Sequence, residues 1–278
     1  MIYYPISTLL SMDIRDILVI TTPDDLKRFQ LLLDDGLQFG IHISYAVQEK
    51  PAGIAQALSI GESFINGENV ALILGDNLFF GESITQYLQD GLRIAKKFNG
   101  AVVFAKEVEN PERFGVIEFD DRGEVHSIEE KPLHPKSHYC ITGLYLFDQN
   151  AVQYANELKP SRRNELEITD VLLRYSARRE LRAVCLSNDD FWLDTGTHEA
   201  YLDATVIVRE LEKSLQLSIG SPEIISYSKG WIDKNRLLLI AEKYQNNQYG
   251  CLLSEAANSE ELIKYGYNSH WWSGIYRR

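Results

Sequence analysis

Val70-Ala-Leu-Ile-Leu-Gly-Asp-Asn77 is the stretch that decides the fold. A short run of Val, Leu and Ile that ends abruptly in Gly-Asp is typical of a buried parallel strand whose carboxylate lies at the strand's carboxyl end. A second carboxylate, Asp194, closes the apolar run Phe191-Trp-Leu-Asp194. Open α/β sheets bind ligands at that edge, so the pair suits a divalent ion and a phosphoryl or nucleotidyl transfer. Either aspartate alone would more simply be a turn or cap residue.

The composition limits the class of protein. The 278 residues, 45% of them hydrophobic, can bury a sizeable core as one large domain or a domain with an appendage. The net charge of −12 argues against nucleic-acid and membrane-surface partners, because both require a basic patch. Three widely separated cysteines, in no metal-binding spacing, indicate buried, reduced thiols in a cytoplasmic protein.

Strand and helix patterns alternate over the first two-thirds of the chain. Apolar runs at 17–20, 41–47 and 70–74 predict strands, and helical patterns lie between them and at 83–97. This alternation predicts a doubly wound, mostly parallel α/β sheet. Further strands are predicted at 101–104, 115–119, 125–128, 139–147 and 181–185. We expect a main domain over residues 1–220 and a small helical C-terminal appendage over 221–278, with an aromatic tail at 265–278.

Seven motifs appear in a characteristic order along the chain. They are Met1-Ile-Tyr-Tyr-Pro5, Leu74-Gly-Asp-Asn77, Asn110-Pro-Glu-Arg-Phe-Gly-Val116, Ile128-Glu-Glu-Lys-Pro132, Thr142-Gly-Leu-Tyr145, Glu165-Leu-Glu-Ile-Thr169 and Trp192-Leu-Asp-Thr-Gly-Thr-His198. Together they resemble bacterial glucose-1-phosphate thymidylyltransferase, in the sugar nucleotidyltransferase family. The resemblance extends from residue 1 to about residue 250.

The resemblance implies a chemistry and its residues. The phosphate of glucose 1-phosphate would attack the α-phosphorus of dTTP with the help of Mg²⁺, which opens the dTDP-rhamnose pathway. Asp76 and Asp194 would hold the ion, and Gln48 and Gly53 would recognise the thymine. Lys131 would act with the two aspartates in catalysis.

The resemblance assigns the sugar side to five positions. These are Gly115, Glu130, Lys131, Gly143 and Tyr145. Glu130 would accept hydrogen bonds from sugar hydroxyls, and Lys131 would pair with the sugar phosphate. Without that context, Glu130 and Lys131 would be an ordinary solvated ion pair at a strand end. Phe191 and Trp192 are interpreted as core residues rather than a sugar platform. The family also implies a homo-oligomer.

The sequence departs from the family at its start. In the family a strand and a glycine-rich loop, about 30 residues in all, precede the Met-Ile-Tyr-Tyr-Pro motif, at which this sequence begins. We therefore expect a sheet without its first, central strand, and two unpaired apolar edges at 17–20 and 70–74.

Several alternatives for activity stay open. The natural chain would begin further upstream, or it would be an inactive copy, or it would be a paralogue that only binds sugar nucleotide. A transferase with another base or sugar, such as a uridylyl or cytidylyl transferase, is a further alternative.

Overall fold

A computed structural model describes residues 1–215 and 218–259. The strands are β1 (Asp16–Thr21), β2 (His42–Val47), β3 (Val70–Ile73), β4 (Asn77–Phe80), β5 (Ala101–Glu107), β6 (Gly115–Phe119), β7 (Val125–Glu130), β8 (Tyr139–Phe147), β9 (Leu181–Cys185) and β10 (Phe191–Asp194). The helices are α1 (Tyr3–Ser11), α2 (Pro23–Leu33), α3 (Gln56–Ile60), α4 (Glu62–Ile65), α5 (Ile84–Lys97), α6 (Ala151–Asn156), α7 (Ile168–Ala177), α8 (His198–Leu215), α9 (Pro222–Ser228), α10 (Lys234–Lys243) and α11 (Gln248–Asn258). The predicted aromatic tail at 265–278 lies outside the described residues.

The main sheet is built around β8. Its strand order is β7-β6-β8-β5-β9, and β3 also pairs with β8. Strand β8 runs antiparallel to β3, β5 and β6, whereas β5 and β9 are parallel. Consequently β3, β5 and β9 run in one direction against β8. One face packs against α6 and α7, and α5 packs against the other. The predicted α/β class is confirmed.

The residues at 22–24 determine where α2 begins. The side chain of Thr22 accepts a hydrogen bond from the backbone N–H of Asp25, and Pro23 occupies the first turn of α2. This is the capping arrangement that the Thr-Pro-Asp sequence favours, since it satisfies an otherwise unpaired N–H at the helix start.

All three cysteines are free, but only Cys140 is buried, so the expectation that all three are buried was wrong.

A small second sheet was not predicted. Strand β4 pairs antiparallel with β10, with Asn77 opposite Asp194, so the strand that ends at Asp194 has an antiparallel rather than a parallel partner. The apolar side chains of β4, Leu78, Phe79 and Phe80, are all buried. This pairing brings the end of β10 to the turn that carries Asp76.

The three C-terminal helices share a core of their own. Leu237, Ile240 and Leu253 are buried between α9, α10 and α11. The domain boundary at residues 220–221 stays a prediction. Within the described part of the chain, none of the helices is both long and apolar enough to cross a bilayer.

An apolar groove separates β1 from β3. Strand β1 pairs only with β2, and β3 pairs only with β8, among the described residues. Consecutive residues at 16–20 and 69–75 line the groove, which has a volume of about 580 Å³, and α1 and α3 contribute further apolar side chains. Because successive side chains alternate between faces, lining by consecutive residues means that the groove meets each strand at its backbone edge.

The ladder between β1 and β2 shows which backbone groups of β1 face the groove. The N–H of His42 donates to the carbonyl of Arg15. In this parallel register, every second residue of the segment from Arg15 to Thr21 therefore directs its backbone groups toward β2. It follows that the N–H groups of Leu18 and Ile20 point away from β2 and into the groove.

The same reasoning applies to β3. The N–H of Leu74 donates to the carbonyl of Gly143, so the N–H groups of Leu72 and Leu74 face β8. Those of Ala71 and Ile73 therefore face the groove. The backbone edges of β1 and β3 therefore face each other across the apolar groove, and no ladder joins them among the described residues.

These edges have a measurable consequence. In amide-resolved hydrogen exchange, we expect Ala71 and Ile73 to exchange faster than Leu72 and Leu74, because only the latter pair is hydrogen-bonded. Equal protection along β3 would mean that this edge is paired in solution.

Candidate active site

Most of the predicted site residues meet in one cavity. Its volume is about 520 Å³, which suits a small-molecule ligand. Seven of the nine predicted residues line it: Asp76, Gly115, Glu130, Lys131, Gly143, Tyr145 and Asp194. The other two, Gln48 and Gly53, line the adjoining groove. Ile54 and Leu74 form a wall common to both spaces.

The two aspartates turn toward one free volume. A β-carbon added to Gly196 would lie 3.1 Å from Asp194 Oδ1 and 3.4 Å from Asp76 Oδ2. Because glycine has no side chain, this point between the carboxylates stays open. Burial raises the pKa of Asp194, and the negative charge of Asp76 raises it further. A cation between the two carboxylates would relieve both effects.

The donor set fits a magnesium ion. The described residues contain no group of three or more His, Cys, Asp or Glu side chains that could hold a metal by themselves. Mg²⁺ is usually bound through one or two carboxylates together with substrate phosphates and water. Asp76 and Asp194 therefore match a site completed by a phosphorylated substrate rather than a closed structural site.

The charges that line the cavity add up to −2. They come from four carboxylates and two cations, namely Asp76, Glu130, Glu167, Asp194, Arg113 and Lys131. One divalent ion brings this sum to zero, which lets the cavity receive anionic phosphates without net repulsion.

Glu130, which lines the same cavity as the aspartates, is held in place by neighbouring side chains. Its Oε2 accepts a hydrogen bond from the hydroxyl of Thr169, and Arg163 Nη1 lies 3.5 Å from its Oε1. Glu130 also lies opposite Gly115 in the β6–β7 pair, where a β-carbon would lie 3.4 Å from Oε2. The glycine therefore leaves the space beside this carboxylate unfilled.

Lys131 directly follows β7 with a strained backbone. Its φ of +43° lies in the left-handed region, which costs a non-glycine residue roughly 1–2 kcal/mol. Its N–H donates to the carbonyl of Phe114 at 3.0 Å, and its side chain is exposed at the cavity. Such strain is commonly found where a side chain has a function.

Tyr145 lies between the two sides of the cavity. It is buried, and burial raises the pKa of its hydroxyl, with additional increases from the charges of Glu130, Asp194 and Asp76. The phenol therefore stays protonated and can donate a hydrogen bond to a ligand.

Gln48 and Gly53 are engaged by the protein itself. Gln48 Nε2 donates to Gln56 Oε1 at 2.7 Å and to the carbonyl of Gly53 at 3.3 Å. Gly53 has a φ of +105°, and a β-carbon there would lie 2.3 Å from the carbonyl oxygen of Leu166. Glycine is thus required by the packing of two backbone segments, whatever its role toward a ligand.

Some residues of the cavity had no predicted role. Burial raises the pKa of Asp194, and the positive charge of Arg113, which lines the same cavity, offsets part of that rise. Thr169 orients Glu130, and Asn77 contacts both aspartates. All three residues lie within the motifs that carry the family resemblance. Those motifs could have identified them as site residues, but no role was predicted for them from the sequence. Trp192 is buried in the core as predicted, with one edge at the cavity.

Comparison with known proteins identifies the family. The sequence model described as Nucleotidyl transferase matches residues 1–210. The chain belongs to this family. Glucose-1-phosphate thymidylyltransferase of Neisseria meningitidis is 49% identical over 250 residues, covering 90% of this chain and 86% of the relative. The protein of the same name from Mycolicibacterium smegmatis is 44% identical over 260 residues, covering 94% and 89%. These relatives confirm the resemblance and make the chain a nucleotidyltransferase.

Solved structures agree with this family. A crystal structure from Bacillus anthracis, assigned to glucose-1-phosphate thymidylyltransferase, superposes with a TM-score of 0.68 at 39% identity, covering 75% of this chain and 82% of that one. UDP-glucose pyrophosphorylase in complex with UDP-glucose gives a TM-score of 0.65 at 23% identity, covering 76% and 86%, and supports the fold alone.

The position of Lys131 allows a paired test. Both Lys131→Ala and Lys131→Gly remove the ammonium group, so we expect pyrophosphate release to fall by about 10²–10³-fold in each. Glycine relieves the strain, so its melting temperature should exceed that of the alanine variant by about 2–4 °C. Near-normal activity of the alanine variant would remove Lys131 from the reaction.

Proposed function

We propose that this chain transfers a thymidylyl group from dTTP to glucose 1-phosphate, giving dTDP-glucose and pyrophosphate. An oxygen of the sugar phosphate forms a bond to the α-phosphorus, the bond to the pyrophosphate oxygen breaks, and pyrophosphate leaves with the electron pair. The observation that carries the proposal is the single cavity in which paired carboxylates face the predicted sugar-side residues. The names of the relatives support the choice of substrates.

The residues have separate tasks in this proposal. Asp76 and Asp194 hold Mg²⁺, which supplies charge neutralisation at the phosphates when bound. Lys131 and Arg113 provide positive charge toward the sugar phosphate and the transferring group. Glu130 accepts hydrogen bonds from sugar hydroxyls, and Gly115, Gly143 and Tyr145 shape the sugar side. Gln48 and Gly53 recognise the thymine at the end of the groove.

The proposal extends to the biological setting. The product would be the first intermediate of dTDP-rhamnose synthesis in the bacterial cytoplasm, and the chain would act as a homo-oligomer. Tyr201, Leu202 and Val206, exposed on α8, offer an apolar surface for such contacts.

A binding-only protein is the second candidate. The open groove favours it, because Gln48 and Gly53 lie where β1 and β3 are not joined by a ladder. Such a chain would bind dTTP or dTDP-glucose saturably and release no pyrophosphate.

The assay that separates the candidates uses the 278-residue chain with Mg²⁺, dTTP and glucose 1-phosphate. A chain carrying the family's N-terminal strand and loop ahead of Met1 is tested alongside, and UTP and CTP replace dTTP as controls. Formation of dTDP-glucose supports the transferase, whereas saturable dTTP binding with no product in either chain supports the binding protein.

The paired carboxylates generate a further mutational prediction. Asp76→Asn and Asp194→Asn, made in whichever chain is active, should each abolish measurable turnover, since each removes a negative ligand of the ion. Circular dichroism should show an unchanged fold. Near-normal rates in both variants would contradict the metal assignment.

Glu130 generates a separate mutational prediction. Glu130→Ala should raise the KM for glucose 1-phosphate about 10–100-fold and change the KM for dTTP much less, because hydrogen bonds to a charged group contribute roughly 1.5–3 kcal/mol. Glu129→Ala is the matched control, since Glu129 pairs with Lys136 and does not line the cavity. An equal rise in both KM values would remove Glu130 from the sugar site.

A further inference from the structure

Asn77 connects the two aspartates through a fully buried amide. Its Nδ2 donates to Asp76 Oδ1 at 2.8 Å and to Asp194 Oδ2 at 3.3 Å. Its Oδ1 accepts from the backbone N–H of Gly143 at 3.0 Å and from Trp192 Nε1 at 2.5 Å. A carboxamide has two N–H donors and two lone pairs, so every hydrogen-bonding position of this side chain is used.

The partners fix the orientation of the amide. The N–H groups of Gly143 and Trp192 can only donate, so they must face the amide oxygen. Ionised carboxylates can only accept, so Asp76 and Asp194 must face the NH₂ group. A flipped amide would place donors against donors and an oxygen against two carboxylates, so the network excludes it.

The amide itself contacts one oxygen of each carboxylate. It binds Asp76 Oδ1 and Asp194 Oδ2. The remaining pair, Asp76 Oδ2 and Asp194 Oδ1, are the oxygens that lie within 3.4 Å of the open point at Gly196. Of these two oxygens that the amide does not contact, Asp194 Oδ1 accepts a hydrogen bond from the backbone N–H of Gly196 at 3.1 Å. Rotation of either carboxylate about its Cβ–Cγ bond would break its hydrogen bond to the amide and turn the second oxygen away from the open point.

The strand β8 supports the amide from the opposite side. A β-carbon on Gly143 would lie 2.6 Å from Asn77 Oδ1 and 2.9 Å from Nδ2. These distances are too short for any side chain, so only glycine lets β8 approach the amide this closely. The amide is thus clamped between β8, β10 and the turn after β3.

We propose that Asn77 is a positioning residue that turns Asp76 and Asp194 so that one oxygen of each faces a shared metal ion. The inference rests on the proposed function in so far as that function assigns the ion to these aspartates. An aspartate at position 77 has no N–H to donate and would add a third negative charge, so the neutral amide is the chemically suitable group.

The test measures binding of Mn²⁺ to the chain by electron paramagnetic resonance, without ligand and with dTDP-glucose present, because a phosphorylated ligand would complete the site. Asn77→Ala should weaken Mn²⁺ binding about 10–100-fold, the usual effect of removing a group that orients a metal ligand. Trp192→Phe removes one of the donors that orient the amide and should weaken binding about two- to tenfold.

Tyr175→Phe is the matched control for stability. It also removes a buried hydrogen bond, from Tyr175 Oη to Asp148 Oδ1 at 2.6 Å, but neither residue lines the cavity. Its Mn²⁺ affinity should stay within twofold of the unaltered chain even where its melting temperature falls. Should Asn77→Ala fail to fold, Trp192→Phe and Asn77→Ser carry the comparison.

The outcomes separate the two hypotheses. Mn²⁺ binding that requires Asp76 and Asp194 but is unaffected by the Asn77 and Trp192 variants overturns the positioning role alone. Absence of Mn²⁺ binding by the unaltered chain both alone and with dTDP-glucose present, or binding that persists in both aspartate variants, overturns the metal assignment and the positioning role with it. Mn²⁺ affinity that decreases from the unaltered chain to Trp192→Phe to Asn77→Ala, and is lost in the aspartate variants, supports both the metal assignment and the positioning role.

Discussion

The hydrogen-bond ladder of β8 is the constraint on which the cavity depends. The first part of β8 pairs with β5 and β6, and the last part pairs with β5 and β3. The strand thereby sets the position of Asp76, which follows β3, relative to Gly115 at the start of β6. Gly143 lies between the part of β8 that pairs with β6 and the part that pairs with β3. A slip of one residue would turn Gly143 and Tyr145 to the wrong faces and separate the two sides of the cavity.

Local signals in the sequence predicted the elements that depend on local physics. The run from Val70 to Asp76 predicted a strand and the carboxylate after it, although β3 is half-buried and antiparallel to β8 rather than buried and parallel. The cap at Thr22 likewise sets the start of α2 through adjacent residues. These assignments succeed because periodicity, turn residues and capping depend on neighbours only a few positions away. The family motifs then brought together residues that no local pattern connects, such as Glu130 and Tyr145.

The features that sequence reasoning missed depend on distant partners. Strand β4 has four residues and follows a turn directly, so its pairing with β10 depends on residues more than a hundred positions away. The same holds for the amide of Asn77, whose contacts reach Gly143, Trp192 and Asp194. Asparagine beside a strand end is usually a turn residue, and nothing in its immediate sequence distinguishes this one.

The groove between β1 and β3 has a consequence for cooperativity. The β1–α2–β2 unit joins the rest of the described chain through side-chain packing, as at Ile17 and Val19, and no ladder connects it to β3. Such a unit can open as a subglobal unfolding step of its own, ahead of the melting of the main sheet and its packed helices, which carry Lys131 and Tyr175. Gln48 follows β2 and Asp76 follows β3. A ligand that contacts both residues can bind only when the β1–α2–β2 unit is docked against the part of the chain that carries β3. Its apparent affinity is then the intrinsic affinity reduced by the fraction of molecules in which those parts are docked.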